Sequence, residues 1–69
     1  MYSAWLMFDK DTKEEFIIFG DEIRVKNFQK ENQHRVFGSG FDGITKEEMS
    51  TAIADFKQKH SKASVYECK

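Results

Sequence analysis

The chain has no proline, one cysteine and four glycines among its 69 residues. A lone thiol cannot form an internal disulfide framework, which excludes a stapled secreted mini-protein. The longest uninterrupted apolar run is Ala4 to Phe8, far short of a membrane span, so no membrane role is expected. The N-terminus has no basic stretch followed by a long apolar segment, so no signal peptide is expected and a reducing, cytoplasmic setting is the default. Charge of one sign is also missing. Residues 1–20 sum to −2, residues 21–43 to 0 and residues 44–69 to +1, giving −1 overall. Duplex binding through phosphate contacts normally brings a clear basic excess. Low-complexity tracts, linkers and internal repeats are absent, and residues 1–69 read as a single domain.

What is present is aromatic and charged: seven Phe, two Tyr and one Trp, with 33% charged residues. One element is written clearly. Thr45 is a good N-cap, Glu48 stands where it can complete a capping box, and Ile44 and Met49 flank the pair at staple spacing. Met49, Ala52, Ile53 and Phe56 then recur on one helical stripe, and Lys57, Lys59 and His60 suit the negative end of the dipole. This predicts a helix from Lys46 to His60.

The rest reads as strands. Tyr2–Phe8 and Glu15–Phe19 form a hairpin across the polar segment 9–14. Ile23 and Val25 alternating with Arg24 and Lys26 suggest a third strand, Glu22–Phe28. Lys30 to Gln33 is turn-like, His34–Phe37 reads as a fourth strand, and Gly38–Gly43 as a glycine loop. Ala63–Cys68 closes the chain as a short strand. The expected fold is α+β, a small antiparallel sheet of four to five strands with one helix packed on one face, in the order β-β-β-β-α-β.

One helix covers one face of such a sheet, so the other should be polar. In the first hairpin it is not, because large apolar residues alternate onto both sides. Either the sheet curls on itself as in a small barrel, or the second face is an interaction surface for a partner or a second copy. Burying Trp5, Met7, Ile17 and Phe19 would contribute roughly 6–12 kcal/mol before association costs. A domain this small is often marginal alone, which makes a homodimer plausible.

Catalytic chemistry is poorly supplied. Cys68 with His60 or His34 is the sole conceivable dyad, and the chain has no CxxC, HxxxH or HExxH spacing, so no catalytic residue, metal ligand or cofactor is expected. Asp9-Lys10-Asp11 lacks the later ligands of a calcium loop: six along is Glu14 and twelve along is Gly20. Gly38, Gly40 and Gly43 have GxGxxG spacing, but no P-loop Lys follows. Their simpler role is to supply positive φ in a tight connection.

Two functional readings follow. The first is a small non-enzymatic protein-binding module that acts through an apolar sheet face. Trp5 is its anchor, Met7, Ile17 and Phe19 surround it, and Arg24 and Lys26 form a polar rim. The size suits a stoichiometric regulator or inhibitor of the kind that viruses and mobile elements carry. The alternative is a nucleic-acid-binding domain with a basic sheet face. Arg24, Lys26 and Arg35 would meet phosphates, and Trp5, Phe19 or Phe28 would stack bases. The stretch from Arg35 to Phe56, strand then glycine loop then capped helix, resembles the end of three-strand-plus-helix domains that read DNA through a sheet. Plant AP2-type and integrase arm-binding domains are examples. That resemblance implies DNA contact, and the net charge of −1 departs from it.

Overall fold

A computed structural model describes all 69 residues. The elements are β1 (Tyr2–Asp9), β2 (Glu15–Asp21), α1 (Glu22–Asn32), β3 (Val36–Ile44), α2 (Lys46–Lys59) and β4 (Ser64–Cys68). The four strands form one sheet in the order β3-β1-β2-β4. β1 is antiparallel to both β2 and β3, while β4 runs parallel to β2. The class is α+β, but the sheet is mixed rather than antiparallel, and there are two helices rather than one. The parallel pairing follows from connection length. α2 carries the chain from one sheet edge to the other, and a crossover of that size returns a strand in the same direction.

The second helix resolves the burial problem of the hairpin. Opposed residues of a ladder share a face, and successive residues alternate. Trp5 stands opposite Ile18 and Met7 opposite Phe16, on one face. There Met7 and Ile18 pack with Val25 of α1, Val36 and Cys68, bordered by Trp5, Phe16 and Phe28. Ala4 stands opposite Phe19 and Leu6 opposite Ile17, on the other face. There Ala4 packs with Met49 and Ala52 of α2, bordered by Tyr2, Phe19, Ile44, Ile53 and Phe56. The result is three layers, α1 over one face and α2 over the other. The sheet neither curls into a barrel nor leaves a whole face bare.

Chain direction explains why the helices separate. β2 and β3 are both antiparallel to β1, so they run the same way, and α1 links them toward the β3 edge. α2 then links β3 to β4 in the opposite direction across the sheet. Two crossovers of one hand travelling in opposite directions must lie on opposite faces, as the strong preference for a single hand requires.

The segment 22–28, expected as a strand, is the first half of α1. Its alternation of Ile23 and Val25 is overruled by a helix start. Asp21 accepts a hydrogen bond from the Ile23 N–H at 3.0 Å, and Glu22 adds negative charge to the first turn. Val25 and Phe28, three apart, face the sheet, whereas Ile23 is 71% exposed. α2 forms as its sequence predicts. Glu48 N–H donates to Thr45 Oγ1 at 3.1 Å and Thr45 N–H donates to Glu48 Oε1 at 2.9 Å, the reciprocal pair of a capping box.

The expected strand His34–Phe37 and glycine loop Gly38–Gly43 are replaced by the nine-residue strand β3. Of the three glycines here only Gly43 has positive φ, at 65°. Gly38 and Gly40 serve close approach to β1 instead. A β-carbon on Gly38 would fall 2.9 Å from Met7 Cα, and one on Gly40 would fall 2.6 Å from Trp5 Cγ. Substituting Gly40→Val is therefore expected to cost about 1–3 kcal/mol, the usual range for overpacking. The urea midpoint reports it, and an unchanged midpoint would mean that β3 tolerates a side chain against Trp5.

Candidate partner-binding surface

The six residues expected at a partner surface do not form one. Trp5 and Met7 lie under α1, and Ile17 and Phe19 lie under α2. Met7 is 3% exposed and Ile17 is fully buried. Arg24 and Lys26 project from a helix rather than from a strand. The helices take the place that a partner was expected to fill.

Trp5 anchors an internal tie. Its indole N–H donates to Asp42 Oδ1 at 2.9 Å, and the Ser3 hydroxyl donates to the same oxygen at 2.7 Å. Lys26 Nζ lies 2.6 Å from Asp42 Oδ2 and 4.6 Å from the Trp5 ring centroid. One carboxylate thus joins the central strand, the edge strand β3 and helix α1. Burial acts to raise the Asp42 carboxyl, but hydrogen bonds from Lys26, Ser3 and Trp5, with the Lys26 charge, outweigh it and hold it below its ordinary value.

The basic residues of the nucleic-acid reading are likewise engaged or dispersed. Arg35, just ahead of β3, donates through one guanidinium nitrogen to Asp9 Oδ2 and through the other to Asn32 Oδ1 at 3.1 Å. Asp9 in turn accepts from the Asp11 N–H at 2.9 Å, closing the β1–β2 turn. Phe28 packs edge-on against Phe16, with ring centroids 6.1 Å apart. Arg24, Lys26 and Arg35 share no sheet face, since two lie on α1 and the third before β3.

The titratable groups that could serve chemistry are apart. Cys68 is buried, and burial, with the Glu67 charge, pushes its thiol up. His60 Nδ1 lies 3.0 Å from Glu15 Oε2, and His34 is exposed in the α1–β3 turn. No three His, Cys, Asp or Glu side chains converge as metal ligands. No helix is long and apolar enough to cross a membrane.

The surface that stands out is the free edge at β3. This edge strand is nine residues long, with no proline, lysine or arginine, and its one charged residue, Asp42, is held inward by the Trp5 tie. Phe37, Ser39 and Phe41 share the α2 side, and Phe37 and Phe41 are 59% and 53% exposed. Phe37 meets Phe8 edge-on at 5.5 Å, and Phe41 stacks on Phe56 at 6.1 Å. Alongside, a groove of about 360 Å³ lies between β3 and α2, lined by the apolar Phe41, Ile44 and Ala52 and by Glu47, Glu48, Thr51 and Asp55. The sequence carries a trace of this: Phe37, Ser39 and Phe41 alternate with small residues across the glycines, a period-two pattern that reads as a loop when glycine is taken as punctuation.

The carboxyl at Asp42 generates a pH prediction. Because its pKa is lowered on folding, the tie contributes stability above the ordinary carboxylate value of 3.8. That contribution is lost as pH falls below this value through the folded-state pKa. Asp9 behaves with the same sign. Asp42→Asn is expected to lower the urea midpoint at neutral pH and to flatten its fall in acid. A variant with the same acid profile as the parent would remove Asp42 from the account. No family model, curated protein or solved structure matches this chain.

Proposed function

We propose that this chain is a small non-enzymatic protein-binding module, a stoichiometric regulator or inhibitor that works by occupying a partner. The observation that carries this reading is the uncovered edge of β3. A strand edge presents unpaired N–H and C=O groups, and folded proteins commonly guard such edges with charge, proline, bulges or short length. β3 carries few of these guards over most of its length. Its register shift is confined to the end near Tyr2, and its two phenylalanines remain more than half exposed. Apolar side chains beside a free edge are the ingredients of strand-addition recognition. In that mode the main chain supplies affinity and neighbouring pockets supply specificity.

The site differs from the one expected on the first hairpin, while the class of function is the same. The reading is tested with Ser39→Lys. Ser39 is exposed at the middle of β3 and opposes Leu6, so a lysine there guards the edge without entering the core. The expected result is a folded chain with an unchanged far-ultraviolet spectrum that retains less than about a tenth of the protein the parent captures from a lysate of its source. Equal capture by parent and variant would refute β3 as the binding element. No capture by either would refute the protein-binding reading.

A further inference from the structure

Two backbone hydrogen bonds fix which groups of β3 face outward. Asp9 N–H donates to the Glu14 carbonyl at 2.9 Å, so odd-numbered residues of β1 bond toward β2. Lys10 N–H donates to the Arg35 carbonyl at 2.9 Å, so even-numbered residues bond toward β3. Bonding alternates along an antiparallel ladder. Leu6 and Phe8 therefore bond Ser39 and Phe37, their ladder partners. Gly38 and Gly40, between these bonded positions, aim their N–H and C=O groups away from the sheet. Neither carries a side chain that would obstruct a strand arriving alongside.

The α2 side of such a strand would lie along the groove. Its apolar lining is Phe41, Ile44 and Ala52, and the rest of the lining holds three carboxylates and no basic residue. Glu48 is committed to the capping box. Glu47 and Asp55 are exposed and enter none of the chain's three ion pairs. They are eight residues apart on α2, about 12 Å along the helix. In an extended chain, residues n and n+4 point to the same side and lie about 13 Å apart.

We propose that the occupant of this edge is an extended segment of another protein, paired with β3 through Gly38 and Gly40. Its alternate residues run basic, apolar, basic: Lys or Arg at n and n+4 meeting Glu47 and Asp55, and an apolar side chain at n+2 on Phe41 and Ile44. This inference rests on the protein-binding reading and specifies the partner's chemistry. A second copy of this chain would bring a second Glu47 and Asp55 across the same edge, where like charges oppose. Its own edge strand offers Phe37, Ser39 and Phe41 in alternation and no basic residue.

The test uses the full chain and a blocked peptide in which threonine alternates with lysine, valine and lysine in turn. Amide chemical shifts and hydrogen exchange are followed at Gly38 and Gly40. Binding should protect both amides from exchange, and the glutamate counterpart of the peptide should not bind. Neutralising the rim with Glu47→Gln and Asp55→Asn should weaken affinity about tenfold in total, with added salt acting in the same direction. Glu47→Lys with Asp55→Lys should invert the preference, binding the glutamate peptide instead.

Several results would overturn the inference. Peptide binding without protection at Gly38 and Gly40 would exclude strand addition. Affinity indifferent to both rim variants would exclude the basic pattern. Failure of the lysine peptide to bind would do the same. Protection of both glycines without peptide, with a dimer in sedimentation, would assign the edge to a second copy. The broader protein-binding reading fails on a different observable, the capture of no protein by either the parent or Ser39→Lys.

Discussion

The constraint on which the structure depends is the two-sided apolarity of the β1–β2 hairpin. Ile17 and Ile18 are adjacent in sequence, point to opposite faces, and are both fully buried. A four-stranded sheet with such a centre needs a layer on each side, and a 69-residue chain has little to spend on them. It builds those layers from its two crossover connections. Each connection therefore links distant strands and covers a face at the same time. Full burial of side chains of this size contributes roughly 1.5–3 kcal/mol each. Losing either cover would remove a large part of a domain stability of about 5–15 kcal/mol.

The two layers are held differently. α2 starts at a reciprocal cap and packs through Met49 and Ala52, so its position follows from its own sequence. α1 buries only Val25 completely. It is tied by polar contacts as well: Lys26 to Asp42 on one side, and Glu22 Oε1 accepting from the Gly43 N–H at 2.5 Å on another. Both contacts end on the last residues of β3. That strand is consequently fixed at Asp42 and Gly43 by α1. At its start it is fixed through Arg35, which bonds both Asp9 and Asn32. Between these anchors the outer edge stays open.

The legible and illegible parts of the sequence divide along this line. The hairpin and α2 could be read because local pattern and final environment agree there: β-prone runs about a polar turn, and a capping box ahead of an apolar stripe. α1 could not, because a helix that buries little needs few apolar residues. Ile23 and Val25 then mimic strand alternation, while the Asp21 cap is a single oxygen. β3 was obscured for the opposite reason. Gly38 and Gly40 weaken every local strand signal, and they are present because of a contact with Trp5 and Met7 more than thirty residues away. The candidate site inherits both errors. Trp5 and Met7 look like exposed anchors when α1 is taken as a strand, and Phe37 and Phe41 look like loop residues when β3 is taken as a turn.

The same glycines link the fold to its proposed use. Close packing against Met7 and Trp5 excludes side chains at Gly38 and Gly40, which leaves these two outward-bonding positions bare. An edge formed in this way has few means of protecting itself. A lysine at Gly38 or Gly40 would guard it but would collide with β1, and Asp42 is already drawn inward by Trp5, Ser3 and Lys26. In the proposed pairing, protection against indiscriminate partners falls to neighbouring charge, with Glu47 and Asp55 lining the adjacent groove. Carboxylates there would repel acidic strands and further copies of this chain while favouring basic ones. On the proposed reading, an edge kept open by packing and screened by negative charge would be selective before any particular side-chain pocket is considered.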